Sequence, residues 1–415
     1  MSVDSNEQKD TMDERPLNDR ESGAEGDGGQ PRKESAIQWL AQRTGSSVEQ
    51  YTGSLGDYDI AGNPYFDKPI SYSQGELAET NKTQKNKYVE VPKPDGESES
   101  LFRYFMDGSR MAYRVAEFRK DGKVWPIVAG QIGVAYCERR DRRMRSGKRI
   151  YRNILSVPSR ICGLSGSQRD QEVVLEEIRK EFNKRVGWNR RVEFDQVVTY
   201  EEEKDADSTN LAISRIQALM VAMEKQAISE LAEQGLLADG QYLVKDGSLE
   251  YRDDLLSEIK WKNMEGRLQY VVGVSKSFNP DLFHIKVKTT SQSAAAFIAA
   301  LPYGYRTQAF RYSLQRNSSP AFAVWYLRIR RPRLTKSVFD GVLKVEMHLV
   351  NKTQEDWGLD SDVIDRISEQ LMREAIPVCY GSDDRWANHI YPVFATERFL
   401  KSGFYPESIF RTLAR

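Results

Sequence analysis

Cysteine and histidine are scarce in this chain of 415 residues, which has three of each. The cysteines (Cys137, Cys162 and Cys379) are scattered, which excludes a disulfide framework and a cysteine-rich zinc site. Three histidines leave little for a metal site built from imidazole groups. We therefore expect carboxylate ligands at any metal site in this protein.

Long hydrophobic runs are also missing. The longest, residues 294–301, has eight residues and falls far short of the ~20 that a membrane-spanning helix needs. The first residues contain no apolar segment of the kind found in secretory signals. We expect a cytoplasmic protein that does not bind membranes.

The chain has no net charge, because 61 Lys and Arg balance 61 Asp and Glu. This balance argues against a highly basic protein that coats nucleic acid, but it allows a local basic channel. Residues 1–35 hold ten acidic and five basic side chains, so the remainder is slightly basic. No Gly-x-x-x-x-Gly-Lys-Ser/Thr loop is present, so we expect no ATP hydrolysis by this chain.

Three regions follow from composition and pattern. Residues 1–35 have almost no large apolar side chains, and we predict a disordered acidic leader. Residues 36–99 form an N-terminal extension, with a short helix around Ile37, Trp39 and Leu40 and then loops. Residues 100–415 form one large domain.

Strand patterns begin near residue 100. The apolar run Leu101 to Met106 should end at Asp107-Gly108-Ser109, and Asp121-Gly122 is a hairpin signal. With residues 132–136, these runs predict an antiparallel meander of three or four strands. Helices are expected at 168–186, 208–234 and 361–375 and after Pro392, and strands at 241–246, 269–275, 283–289, 321–330 and 342–350.

This order of elements is that of the ribonuclease H-like fold, an α/β fold with a mixed sheet flanked by helices. In that fold, neighbouring strands bring two aspartates together, and helices add carboxylates to the same point. Asp107 and Asp246, each followed by Gly-Ser, would be these aspartates. Oxygen ligands suit Mn²⁺ or Mg²⁺, and two such ions can clamp a phosphodiester. Because Asp-Gly is also a common turn dipeptide, a purely structural role for either tripeptide stays open.

The helix at 208–234 has a candidate third ligand. Glu224 falls within an apolar stripe that includes Met220, Met223 and Ala227, whereas the rival Glu230 has polar helical neighbours. An inward carboxylate needs a partner, which a metal ion would supply. From the C-terminal helix Glu397 could reach the site, and His389, just before that helix, is the alternative.

Basic side chains cluster in two stretches that suit a surface for nucleic-acid phosphates. The first holds Arg139, Arg140, Arg142, Arg143, Arg145, Lys148, Arg149 and Arg152, and the second Arg328, Arg330, Arg331, Arg333 and Lys336. The alternative interpretation of the first stretch is a solvated loop or a segment that contacts the acidic leader. Tyr303, Tyr305 and Phe310, near Arg306 and Arg311, would stack on bases or serve as packing residues.

Two further polar residues need a place. Lys276 would contact a scissile phosphate or orient a ligand, unless it is an ordinary surface lysine after a strand. His348 alternates with Val345, Met347 and Leu349, so we expect it on the polar face of its strand.

Four segments resemble motifs of the NurA nuclease family. They are Phe105 to Arg110 followed by Pro126 to Gly130, Leu243 to Leu249, Val272 to Lys276, and Tyr391-Pro392 with the helix after it. The resemblance covers roughly residues 100–410. One departure concerns the last motif, in which the family usually has an Ala-His pair and this chain has Thr396-Glu397.

The resemblance implies a NurA-like nuclease domain over residues 100–415, with a ribonuclease H-like fold in a toroidal homodimer. It implies a Mn²⁺-dependent single-strand endonuclease and 5′–3′ exonuclease, working with a hexameric HerA-type ATPase in DNA-end processing or defence against foreign DNA. Asp107, Glu224 and Asp246 would hold the metal ions. Alternatives are a catalytically inactive, DNA-clamping adaptor of the same translocase and a guide-dependent nuclease of the Argonaute type, for which residues 1–99 are too short.

Overall fold

The computed structural model describes residues 34–50, 76–81, 88–93, 99–164, 166–186, 192–204, 206–249, 265–280, 284–287, 290–312, 321–375 and 387–414. The predicted disordered leader lies outside these ranges except for its last two residues. Most of the loops predicted for residues 51–98 also lie outside them.

Fourteen strands lie within the described ranges. In chain order they are β1 (Ser47–Gln50), β2 (Val89–Glu90), β3 (Phe102–Lys120), β4 (Lys123–Arg140), β5 (Arg143–Pro158), β6 (Gln196–Tyr200), β7 (Tyr242–Asp246), β8 (Val271–Ser275), β9 (His284–Val287), β10 (Thr290–Ser293), β11 (Tyr305–Arg306), β12 (Phe310–Tyr312), β13 (Phe322–Arg328) and β14 (Val342–His348). Within the described ranges, all except β9 and β10 belong to one mixed sheet.

The centre of this sheet has the strand order β5-β4-β3-β7-β8. Strand β4 runs antiparallel to β3 and β5, whereas β3, β7 and β8 are mutually parallel. If these five strands are numbered by their order along the chain, they lie side by side as 3-2-1-4-5, and the second strand runs antiparallel to the other four. This is the ribonuclease H-like topology that the sequence predicts. Antiparallel strands β14, β13, β11 and β2 extend the sheet beyond β8, and β6 lies beside the end of β5.

The first long strand corrects one prediction. Asp107-Gly108-Ser109 does not end a strand, because β3 continues through it for 19 residues to Lys120. The turn comes at Asp121-Gly122, where both residues have positive φ (51° and 74°), as a two-residue hairpin that matches the twist of its strands requires. The run predicted to stop at Met106 is therefore the first part of one long strand that reaches this turn.

The first basic stretch is part of a second hairpin rather than a loop. Strands β4 and β5 are joined by Asp141-Arg142, again with positive φ at both positions. Strand β6 covers β5 only from Ile154 to Pro158, so the described part of the sheet ends at the backbone edge of Arg143 to Asn153. Arginine and lysine on an edge strand oppose pairing with another copy of the same strand.

Helices cover both faces of the sheet. They are α1 (Ala36–Thr44), α2 (Gln168–Val186), α3 (Ser208–Glu233), α4 (Ala294–Ala299), α5 (Lys352–Trp357), α6 (Ser361–Arg373), α7 (Tyr391–Lys401) and α8 (Glu407–Arg411). Helix α3 begins where the Asp207 side chain accepts a hydrogen bond from Asn210 N at 2.9 Å. No helix in the described ranges is long and apolar enough to span a bilayer.

Alternating side chains of the strands divide the core into two layers. Tyr104 and Met106 of β3 pack in the layer that holds α1, α2 and α3. Phe105, between them, packs in the opposite layer with α6 and the start of α7. Helix α1 shares the first layer through Ile37 and Leu40, so the N-terminal extension contributes to the same core.

Candidate active site

A cavity of about 400 Å³ lies beside β3 at the carboxyl ends of β7 and β8. Its lining includes Asp107, Glu224 and Asp246 together with Lys245 and Lys276. The sheet forms it because β7 ends at Asp246 while β3 continues past their last pair, Met106 and Lys245. Ligands commonly bind at this end of parallel strands in α/β sheets.

Helix α3 approaches the sheet closely at Gly108. A Cβ atom at position 108 would overlap the Glu224 carboxylate and lie 3.0 Å from its Cδ atom. Glycine therefore makes room for Glu224, whose side chain is buried at 5% exposure, whereas that of Glu230 is 29% exposed. The inward orientation expected for Glu224 is observed.

Asp107 is a buried carboxylate among other carboxylates. Burial, together with the negative charges of Asp246, Glu397 and Glu224, raises the pKa of Asp107 well above its ordinary value, although Lys276 acts against this. Within the described ranges, no hydrogen bond or ion pair reaches its carboxylate. The site therefore favours a proton or a cation at Asp107.

Lys276 follows β8 and lies between two acids. Its Nζ atom is 2.8 Å from Oδ2 of Asp246 and 3.6 Å from Oε2 of Glu397. Burial alone would lower the pKa of Lys276, but Asp246, Glu397 and Asp107 raise it above its ordinary value. The interpretation of Lys276 as a surface lysine is wrong, because its side chain is only 5% exposed.

Lys245 also pairs with an acid of the cavity, on the side where α3 lies. Its Nζ atom is 3.0 Å from Oε2 of Glu224 and donates to the carbonyl oxygens of Asp246 and Ser248 at 2.9 and 3.1 Å. Burial raises the pKa of Glu224, as does Asp246, and Lys245 lowers it. One ammonium group thus ties the helix to the turn that follows β7.

Glu397 lies on α7 and takes part in this cluster through Lys276. Its other oxygen accepts a hydrogen bond from Lys401 at 2.8 Å. His389 lies just before α7, buried, with its ring stacked on Phe394 at 5.0 Å. The structure therefore brings Glu397 to the ion pairs of the cavity.

The donor set has the chemistry of a site for a hard cation, although its ligands are not assembled. Four carboxylates, those of Asp107, Glu224, Asp246 and Glu397, act on one another, and that of Asp107 has no cation in contact within the described ranges. Oxygen donors of this kind suit Mn²⁺ or Mg²⁺. Among the described residues, however, no three His, Cys, Asp or Glu side chains are grouped so as to hold one ion. Lysines are paired with Glu224 and Asp246 instead.

Strand β14 supports the turn after Asp246, which the sequence does not reveal. The buried Glu346 accepts a hydrogen bond from Leu249 N and pairs with Lys344 at 3.0 Å. His348, 1% exposed, packs its ring on Phe322 at 4.1 Å, so its predicted place on a polar face is wrong. The sequence signal that could have indicated this supporting role is the presence of a Glu and a His within the apolar run 342–349.

Asn388 is a second supporting residue that sequence reasoning missed. Its Nδ2 atom donates to the carbonyl oxygen of Lys276 at 2.5 Å, and its Oδ1 atom accepts from Gly341 N. The residue thus links the end of β8, the start of β14 and the segment before α7. No sequence pattern marks this role, because an asparagine before a helix ordinarily indicates a cap.

The β4–β5 hairpin presents much of the first basic stretch to solvent. Arg140, Arg142, Arg143, Arg145, Lys148, Arg149 and Arg152 are exposed. Arg139 points inward instead, with its guanidinium 2.7 Å from Glu374 and 4.8 Å from the ring centre of Phe105. Lys148 pairs with Glu230 of α3 at 2.7 Å, and Arg149 donates to the Phe399 carbonyl of α7 at 3.2 Å.

The second basic stretch is divided between core and surface. Arg328 is buried and donates to backbone carbonyls, among them Val338 O at 2.8 Å, which accounts for it as a structural residue. Burial lowers the pKa of Arg330, and Arg331 is exposed and lies over the ring of Tyr303 at 5.3 Å.

Arg306, near the candidate stacking residues, is also buried and is paired with Glu79 at 2.9 Å. Phe310 is a packing residue in the core.

No protein-family model matches the sequence, and no curated protein matches it. Among solved structures, the chain is similar to the crystal structure of the NurA nuclease from Sulfolobus solfataricus. The TM-score is 0.42 and the identity 11%, over 79% of this chain and 86% of that chain. A similarity at this level does not identify a reaction.

Proposed function

We propose that this protein is a metal-dependent DNA nuclease that hydrolyses phosphodiester bonds at the cavity beside β3. The observation that carries the proposal is Asp107, a buried carboxylate surrounded by three others and without a cation in contact in the described ranges. Such a cluster is costly unless a cation neutralises it. The resemblance of four segments to NurA motifs is the reason for proposing DNA as the substrate.

In this proposal Asp107, Glu224 and Asp246 hold one or two Mn²⁺ or Mg²⁺ ions. The bound ions would supply an activated water and neutralise the charge that develops on the phosphate. Gly108 lets Glu224 reach the site, and Lys245 fixes the turn that carries Asp246. Glu397 or His389 would serve as the last acid or base, and Lys276 would contact the phosphate.

The proposed substrate is DNA, cleaved as a single-strand endonuclease and 5′–3′ exonuclease. The exposed residues of the hairpin, Arg140, Arg142, Arg143, Arg145, Lys148 and Arg149, would follow the phosphate backbone, as would the exposed Arg331. Because the sequence has no ATP-binding loop, translocation would need a partner, a HerA-type hexameric ATPase. A homodimer acting in DNA-end repair or antiviral defence fits this scheme.

The test is a cleavage assay with purified full-length protein. Single-stranded DNA labelled at either end is incubated with Mn²⁺, with Mg²⁺ or with EDTA, and we expect cleavage only with metal. Asp107→Ala and Asp246→Asn should abolish it while the protein still folds. Asp121→Asn, in the hairpin turn, is the matched control because asparagine tolerates its positive φ. Full activity of Asp107→Ala would refute the assignment.

The second candidate function is a catalytically inactive adaptor that clamps DNA for the translocase. The observation that favours it is the pairing of lysines with Glu224 and Asp246, together with the lack of an assembled ligand group in the described residues. An adaptor would bind labelled DNA with unchanged affinity in EDTA and cleave nothing with any metal. The same assay therefore separates the two functions.

A further inference from the structure

We propose that Lys276 is the resident counter-cation of this site, which occupies Asp246 and Glu397 in the metal-free protein and leaves them when a divalent cation binds. This inference rests on the proposed metal-dependent function and adds a competition between the protein's own ammonium group and the metal. It predicts that removal of the ammonium group strengthens metal binding.

The geometry places Lys276 between acids that come from different elements. Asp246 ends β7 and Glu397 lies on α7, and the Nζ atom of Lys276 is 2.8 Å from the first and 3.6 Å from the second. Without this ammonium group, the two carboxylates and Asp107 would face one another in a buried site. Buried like charges of this kind are strongly unfavourable, so the lysine stabilises the site when no metal ion is bound.

The backbone of Lys276 is held in place by its neighbours, so the fold itself positions the ammonium group next to Asp246. Ser275, the last residue of β8, is buried, and the carbonyl of Lys276 accepts from Asn388 Nδ2 at 2.5 Å. Asn388 is itself held by Gly341 N of the segment before β14. From this anchored position the side chain extends into the cavity that Asp107 and Glu224 also line.

An ammonium group and a divalent cation cannot occupy the same carboxylate oxygens. Coordination through Oδ2 of Asp246 therefore requires the Nζ atom of Lys276 to move, and the cavity of about 400 Å³ beside it has room for that movement.

The experiment measures Mn²⁺ binding by calorimetry, with full-length protein and without DNA. Lys276→Met should bind Mn²⁺ about tenfold or more tightly than the wild type, because a unit charge next to the ligands is removed. Lys276→Arg keeps the charge and should bind no more tightly. Lys401→Met is the matched control, since Lys401 also pairs with Glu397 but is 39% exposed. Its affinity should change less than about threefold, because solvent screens exposed pairs.

Thermal unfolding gives a readout that does not involve activity or heat of binding. In EDTA, Lys276→Met should melt below the wild type, and saturating Mn²⁺ should raise its melting temperature by more than it raises that of the wild type. If Lys276→Met does not fold, Lys276→Gln takes its place in both measurements.

Two outcomes overturn the inference, and they differ in what else they overturn. If the wild type binds Mn²⁺ and cleaves DNA but the neutral variants bind no more tightly, Lys276 does not compete with the metal and the proposed nuclease stands. If the wild type neither binds Mn²⁺ nor cleaves DNA, both proposals fail. Weaker Mn²⁺ binding by a folded Lys276→Met would make Lys276 a support of the metal site, against the inference.

Discussion

Gly108 and Glu224 lie so close together that the Cβ atom of any other residue at position 108 would overlap the Glu224 carboxylate. The contact joins β3, which carries Asp107, to α3, and it fixes where the helix acid enters the cavity. Glycine at this position is therefore part of the candidate site even though it has no side chain.

Gly108→Ala should displace Glu224 and reduce metal-dependent cleavage by about tenfold or more, with a loss of about 1–3 kcal/mol in unfolding free energy from overpacking. Kinetic assays and urea unfolding would measure the two effects. Gly266→Ala is the matched control, because a Cβ there meets nothing within 4 Å. Equal activity of the two variants would show that Glu224 tolerates displacement.

Glu346 should be important for stability through the turn after Asp246. Glu346→Ala leaves the Leu249 N–H without its buried acceptor and removes the ion pair with Lys344, so we expect a loss of about 2–4 kcal/mol in urea unfolding. Glu346→Gln keeps an acceptor and should lose less. A cost for Glu346→Gln as large as that for Glu346→Ala would contradict the hydrogen-bond argument.

His348 should make the protein sensitive to mild acid. Burial lowers the pKa of His348 to about 3, against about 6.5 in the unfolded chain, while Leu249 and Glu346 act in the other direction. As the pH falls, the unfolded state takes up the proton at a higher pH than the folded state does. The stability that neutral His348 contributes is therefore fully present above pH 6.5 and is lost as the pH falls toward 3.

The measurement compares wild type with His348→Phe, which keeps a ring against Phe322 but does not titrate. Between pH 7 and pH 5 the unfolding free energy of the wild type should fall by about 2 kcal/mol more than that of the variant. Parallel pH profiles for the two proteins would show that His348 is not the group responsible.

The exposed tip of the β4–β5 hairpin should contribute to DNA affinity through charge. Replacement of Arg142, Arg143 and Arg145 by Gln should reduce the salt dependence of single-stranded DNA binding, lowering the slope of log K against log salt by about 2. The control removes three exposed charges from α2, with Arg169, Lys180 and Lys184 changed to Gln. The same slope in both triple variants would exclude the hairpin as a specific phosphate surface.

The sequence alone determined much of the sheet and the inward orientation of one acid, Glu224. Apolar alternation, Asp121-Gly122 and the helical stripe at 208–234 are local patterns, and the order of elements predicted the ribonuclease H-like topology that is observed. The inward orientation of Glu224 follows from the same stripe, because helical periodicity fixes which side chains share a face.

Only the tertiary structure decided where strands end and which charges meet. Asp107 lies inside a long strand because β4 pairs with β3 on both sides of it, a non-local interaction that outweighs the turn preference of Asp-Gly. The pairing of Lys276 with Asp246 joins residues 30 positions apart, and Glu346 reaches Leu249 across 97. Such contacts depend on strand register and burial, which a linear pattern does not encode.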